Sequence, residues 1–128
     1  MMLYVFKCSC TFVSRFQGKF STKSDVWSFG VTLWEILTFA GIQPFEHLHD
    51  EAVIENCSSY YNGDGAQVML SQPQNSPKEI YDLMVECWNR DETQRPSFRE
   101  IHMFLQRKNM GYNPKDETAI TCPPIVLQ

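Results

Sequence analysis

The chain lacks the parts of several functional classes. With 11 Lys and Arg against 15 Asp and Glu it has no excess of positive charge, and its net charge of −4 excludes a broad basic footprint for nucleic acid or anionic lipid. Its partners are therefore expected to be proteins. It has no apolar run of bilayer length: the most apolar window, Val26 to Phe39, carries Glu35 and falls short of the roughly 20 residues a spanning helix needs. The N-terminal stretch MMLYVFKCSCTFVSRF is broken by Lys7 and Arg15 and is followed by no small-residue cleavage pattern, which argues against both a leader and an anchor.

Cysteine is present in odd number and irregular spacing, at Cys8, Cys10, Cys57, Cys87 and Cys122, which does not make a secreted disulfide framework and suggests a reducing compartment. Cys8 and Cys10 are separated by one residue rather than the two to four typical of zinc sites, so with His47 and His49 they make a poor metal set, and no metal ligand is assigned. Asn56-Cys57-Ser58 matches a glycosylation acceptor and has meaning only for a chain that enters the secretory lumen. Internal repeats and convincing strand patterns are also missing.

What remains is helical. At 43% hydrophobic and 13% aromatic, 128 residues suffice for one modest core. Ser24 to Phe39 has apolar side chains around nearly the whole helical circumference, the pattern of a helix buried by others, with Ser24 as its expected cap and Asp25 complementing its N-terminal dipole. Gly41 and Pro44 end it. A short helix should begin near Asp50 with Val53 and Ile54 as its apolar residues, and the Asn62-Gly63-Asp64-Gly65 turn marks an irregular connection from Cys57 to Pro73. Ser76-Pro77-Lys78-Glu79 and Ser97-Phe98-Arg99-Glu100 both read as capping boxes. The first opens a helix running to about Trp88 with Ile80, Leu83, Met84 and Cys87 on one side, and the second opens a helix carrying Ile101, Phe104 and Leu105 that frays after Lys108. Residues 109–128 are polar with three prolines and are expected to form a mobile tail. The fold class is all-α.

Two segments carry more than composition: Ser24-Asp25-Val26-Trp27-Ser28-Phe29-Gly30-Val31, and Cys87-Trp88 followed by Arg95-Pro96-Ser97-Phe98. Both resemble protein-kinase signatures, the first opening the central helix of the C-lobe and the second lying just before that lobe's last helices. Leu33-Trp34-Glu35, the Cys-Trp pair and the Arg-Pro-Ser-Phe ending resemble the tyrosine-specific branch. Gly18-Lys19-Phe20-Ser21-Thr22, Gln43-Pro44-Phe45, the Asp50 to Asn56 stretch and the long loop to Leu70 are similar to the discoidin-domain receptors, collagen-responsive receptor tyrosine kinases. The resemblance covers residues 18 to 107 and implies a partial kinase C-lobe at 18–108, an unmatched segment at 1–17 and the tail at 109–128. The unmatched segment is expected to come from a truncated gene model or from read-through.

The resemblance implies structural roles at Asp25, Trp27, Gly30, Trp88 and Arg95. Asp25 matches the kinase carboxylate that accepts backbone N–H bonds from the catalytic loop; without that loop, complementing the helix dipole is its expected role. Arg95 matches the arginine that pairs with the glutamate of an Ala-Pro-Glu-type segment, a position held here by Val13, so a surface arginine is expected instead. Trp27, Trp34 and Trp88 are expected in the core.

Phosphoryl transfer needs a glycine-rich loop, a strand lysine, a His-Arg-Asp loop and an Asp-Phe-Gly aspartate. Gly63 and Gly65 are followed by Val68 where a third glycine would stand; His47, His49 and His102 are followed by Leu48, Asp50 and Met103; Asp-Phe-Gly does not occur. The expectation is a fragment with no catalytic, cofactor-binding or metal residue, inactive alone, whose complete parent uses ATP and Mg as a membrane-spanning, dimeric receptor with this segment cytoplasmic. The alternative is a short non-catalytic interaction module that docks through the Asp50 to Cys57 helix. In either case the Asp25 to Phe39 helix is expected to be poorly covered, with Val26, Phe29, Leu33, Trp34 and Leu37 partly wet and the fold marginally stable.

Overall fold

The computed structural model describes residues 21–63, 68–74 and 76–110, and the segment at 1–17 and the tail beyond residue 110 lie outside them. Among the described residues there are four α-helices, α1 Thr22–Leu37, α2 Asp50–Asn62, α3 Lys78–Cys87 and α4 Phe98–Lys108, with a 3-10 turn at Glu92–Gln94 and no strand.

Each boundary has a local cause. α1 begins two residues before the expected start: Ser21 is the cap, its hydroxyl accepting the Ser24 N–H at 3.2 Å, and the Ser24 hydroxyl accepts the Ser21 N–H at 3.2 Å. Ser24 is thus the reciprocal partner of the cap rather than the cap itself. α2 extends into the stretch expected to be irregular, as far as Asn62, while residues 68–73 are irregular as expected. Asn62-Gly63, read as a turn, is its C-terminus, where Gly63 at φ 73° donates its N–H to the Ser59 carbonyl at 2.9 Å. A glycine in this left-handed conformation ends many helices, which the dipeptide alone does not distinguish from a hairpin turn.

The first predicted capping box does not form. Pro77 occupies the cap position of α3 with φ −56° and ψ 142°, and the buried Ser76 hydroxyl turns to the Pro77 carbonyl. The second does form: the Ser97 hydroxyl accepts the Glu100 N–H, and Glu100 Oε2 accepts the Ser97 N–H at 2.7 Å. That backbone hydrogen bond holds the Glu100 carboxyl below its usual range. Arg107 and Lys108 in the last turn complement the opposite end of α4.

The core lies between α1 and α3. Val26, Val31 and Trp34 of α1 meet Leu83, Met84 and Cys87 of α3 and the adjoining Trp88, with Leu70 and Ile101 closing the sides. Val26 and Trp34 are buried, contrary to the expectation of a wet central helix, because α3 supplies a full apolar face to that side. Phe29, Leu33 and Leu37 are half-buried against this cluster, whereas Ile36 and Phe39 at its C-terminal end stand open.

Residues 68–73 form a strap over one side of this core, and side chains from three helices hold it. Asn56 of α2 uses its amide in both directions, donating to the Val68 carbonyl at 2.9 Å and accepting the Val68 N–H at 2.7 Å. The Tyr81 hydroxyl of α3 donates to the Leu70 carbonyl at 2.8 Å, and the Trp34 indole N–H of α1 donates to the Ser71 carbonyl at 2.7 Å. Because Asn56 satisfies both backbone groups of Val68, Asn56→Ala should lower stability by about 1–2 kcal/mol, the cost of two modest hydrogen bonds. A urea melt followed by circular dichroism checks this, with Ser58→Ala on the same helix expected to change much less.

Candidate functional site

The structural positions implied by the sequence gather, with one exception, where α1 crosses the C-terminal end of α3. Gly30 is buried in the middle of α1 at the closest approach. A Cβ placed on it would lie 2.7 Å from Trp88 Nε1 and 2.9 Å from Cys87 Cβ, closer than packed atoms tolerate. The missing side chain is what lets Cys87 and Trp88 reach full burial, with 0% and 2% of their surface exposed. Trp27 and Val31, on either side of Gly30 along α1, line a small apolar cavity with Trp88, Phe45 and Leu70.

Burial has a chemical consequence for Cys87. Removal from water disfavours the thiolate and pushes the thiol up to about 12. Thiolate is the reactive form, so this cysteine is inert packing rather than a nucleophile.

Arg95 departs from the expected surface role. It is only 3% exposed and follows the 3-10 turn. Its guanidinium donates from Nε to the Asn89 carbonyl at 2.8 Å and from Nη1 to the Lys23 carbonyl at 2.9 Å, and it lies over the Trp27 ring at 5.1 Å from the centroid. Lys23 Nζ in turn donates to the Arg95 carbonyl. The side chain therefore ties the first turn of α1 to the loop after α3, using carbonyl oxygens and a ring face to compensate a buried cation. Sequence reasoning missed Lys23 and Asn89, because each accepts from Arg95 through a backbone carbonyl, and the Lys23 ammonium returns to the Arg95 carbonyl, so no residue-type pairing marks the contact.

Asp25 is the exception. It sits in the first turn of α1, where its charge complements the helix dipole, and it is exposed to solvent away from this cluster. Trp27 is half-buried rather than a core residue, its ring shared between the cavity and Arg95. His47 and His49 are exposed, Cys8 and Cys10 lie outside the described residues, and among the described residues no three His, Cys, Asp or Glu side chains group as metal ligands.

The contacts at this site are close packing and hydrogen bonds to backbone carbonyls. The family model described as protein tyrosine and serine/threonine kinase matches residues 13–105, and the chain belongs to that family. The match takes in Val13 to Gln17, which the sequence reading had set apart. Among curated relatives, epithelial discoidin domain-containing receptor 1 of Homo sapiens is 52% identical over 88 residues, 69% of this chain and 10% of the relative. Discoidin domain-containing receptor tyrosine kinase B of Caenorhabditis elegans is 41% identical over 90 residues, 70% of this chain and 11% of the relative. The tyrosine-protein kinase transmembrane receptor Ror of Drosophila melanogaster is 41% identical over 95 residues, 74% of this chain and 13% of the relative. The chain thus spans about a tenth of the length of the curated relatives it matches, and is a kinase-domain fragment related to the discoidin domain receptors.

Two outcomes test the site. Gly30→Ala should cost about 1–3 kcal/mol through overpacking against Trp88, and Arg95→Ala about 2–4 kcal/mol because two charged hydrogen bonds and the contact with the Trp27 ring are lost. Both are measurable by thermal melts. In the native chain at pH 8, Cys87 should resist iodoacetamide and become reactive only in denaturant, as read by mass-spectrometric mapping of the alkylated peptides; labelling of Cys87 at the rate of an exposed thiol would show that α1 and α3 do not close over it.

Proposed function

We propose that the chain is a non-catalytic segment of a receptor protein-tyrosine kinase of the discoidin-receptor kind. The parent phosphorylates protein tyrosine with ATP and Mg as a dimeric receptor in the plasma membrane, with this segment on the cytoplasmic side. The observation that carries the reading is what the matched residues retain. Gly30, Trp88 and Arg95 serve the packing of α1 on α3, and the chain has no His-Arg-Asp or Asp-Phe-Gly sequence. Among the described residues no helix is long and apolar enough to cross a membrane.

Among the described residues none is arranged to hold a nucleotide with its metal. Phosphates are cradled by backbone N–H groups of a glycine-rich turn between a strand and a helix, whereas Gly63, the glycine with left-handed backbone among the described residues, closes the C-terminus of α2. The guanidinium of Arg90 fills the space a Gly63 side chain would take. Cations near the anionic end of a helix are favourable there without any ligand.

The second reading is a protein-interaction module that folds by itself. It is favoured by the closed α1–α3 core, whose Met84 and Cys87 are fully buried by neighbours within this chain. A cooperative calorimetric melt of a monomer, with a strong near-UV dichroism signal and no dye binding, would support it over an inert fragment. The 128-residue chain should show no saturable Mg-ATP binding by titration calorimetry and no transfer of labelled phosphate to a tyrosine peptide. Asp25→Asn should shift stability by less than about 0.5 kcal/mol, as for an exposed position away from partners. Saturable nucleotide binding would overturn the non-catalytic reading.

A further inference from the structure

Asn62 and Gly63 close α2, and together they carry the reactants of a reaction that needs no partner but water. The Gly63 amide nitrogen directly follows Asn62, at the spacing that closes a five-membered imide ring on the Asn62 side-chain amide. A side chain on the following residue hinders that approach, and glycine has none. Asn62 is exposed, and among the described residues it is the asparagine that precedes a glycine: Asn56, Asn89 and Asn109 precede Cys57, Arg90 and Met110. Two of these others are also engaged, since the Asn56 amide is bonded in both directions to Val68 and Asn89 Oδ1 accepts the Asp91 N–H at 2.9 Å.

The folded backbone opposes this reaction. Gly63 donates its N–H to the Ser59 carbonyl at 2.9 Å, so the nitrogen that would attack is directed back along the helix and away from its neighbour's side chain. Gly63 holds φ 73°, and the Arg90 guanidinium occupies the place a Cβ would take. Attack therefore requires the last turn of α2 to open. Helix termini open at the lowest cost of any part of a helix, because their backbone groups are incompletely paired within it.

We propose that Asn62 is a self-modification site, converted to aspartate and isoaspartate through a cyclic imide at a rate set by the opening of the last turn of α2. In the first step the Gly63 nitrogen gives up its proton and bonds to Cγ of Asn62, the bond from Cγ to the side-chain nitrogen breaks, and ammonia leaves with the proton. Water then opens the ring. Cleavage at Cγ gives aspartate on an unchanged main chain, and cleavage at the Asn62 main-chain carbonyl carbon gives isoaspartate, with one extra methylene in the main chain. Nothing is oxidised or reduced; one water is consumed for one ammonia released. The change acts back on the fold. The imide nitrogen carries no hydrogen, so the bond to Ser59 is lost in the intermediate, and either product places a carboxylate at the end of α2 where the helix dipole is negative. Asp50 and Glu51 occupy the favourable end of the same helix. The modification therefore weakens the turn whose opening permits it, whether or not the parent is a receptor kinase.

The full 128-residue chain would be incubated at pH 8 in oxygen-18 water, with and without guanidinium chloride, and mapped by mass spectrometry with fragment ions that place the mass change at Asn62 rather than at Asp64. In buffer Asn62 should convert ahead of Asn56, Asn89 and Asn109, and roughly 10-fold or more slowly than in denaturant, as for a reaction that proceeds through local opening. Ser58→Gly and Ser58→Ala, one turn before the reacting pair, change how readily that turn opens and leave both reactants in place. Once circular dichroism shows that their helical content is kept, the glycine variant should convert about 2- to 5-fold faster than the alanine variant in buffer and at the same rate in denaturant. No conversion at Asn62, faster conversion at Asn56, Asn89 or Asn109, or equal rates with and without denaturant would overturn the proposal. Equal rates for the two folded Ser58 variants would overturn it too, by removing the last turn of α2 from control of the reaction.

Discussion

The distance between Gly30 and Trp88 is the constraint on which the remaining structure rests. Helices pack at separations set by the side chains at their crossing, and here one partner contributes none. Because α1 presents bare backbone at Gly30, the Cys87-Trp88 pair can enter the space beneath it. That approach brings Val26, Val31 and Trp34 against Leu83 and Met84 in one layer. A core this small has few ways to compensate a misplaced indole. Proteins of this size keep only a narrow margin between burial and chain entropy, so one crossing governs whether the helices associate at all.

Arg95 and the strap act at the two edges of that crossing. Arg95 fixes the start of α1 to the loop that follows Trp88, while Trp34 near the end of α1 holds the strap through Ser71. In both places a side chain satisfies a backbone carbonyl of a connecting segment, Asn89 for Arg95 and Ser71 for Trp34. This is how an all-α fragment can carry irregular connections without leaving buried polar groups orphaned. The burial of Arg95 follows the same logic: carbonyl dipoles and an aromatic face can hold a guanidinium. Nothing in the residue type at position 95 reveals this, which is why the lost partner at Val13 pointed to the surface.

Helix existence was legible because it rests on patterns the sequence repeats. The Ser97 box and the apolar spacing through Ile80, Leu83, Met84 and Cys87 each agree with the structure. Boundaries were less legible where one dipeptide serves two geometries. Asn62-Gly63 closes a helix by the same left-handed glycine that a turn would use, and Ser76-Pro77 spells a capping box whose hydroxyl turns to a carbonyl instead. The kinase family was readable from Ser24 to Val31 and from Cys87 to Phe98 because those residues meet in space at Gly30, Trp88 and Arg95. The Asn56 clamp was not, since its partner is the backbone of Val68, twelve residues away across a loop.

The division between packing and chemistry in this chain also has a physical basis. Catalytic groups must converge on a reacting atom and are often drawn from loops that a scaffold holds in place, whereas the scaffold needs only complementary surfaces. A segment can therefore keep a family's most recognisable residues through packing alone. The α1–α3 crossing keeps its form because the forces that make it are short-ranged and supplied within this chain. The C-terminal end of α1 is covered less: Ile36 and, just past the helix, Phe39 meet water. The two sides of one helix thus differ in kind, the first buried by its own fold and the second left open at its C-terminal end.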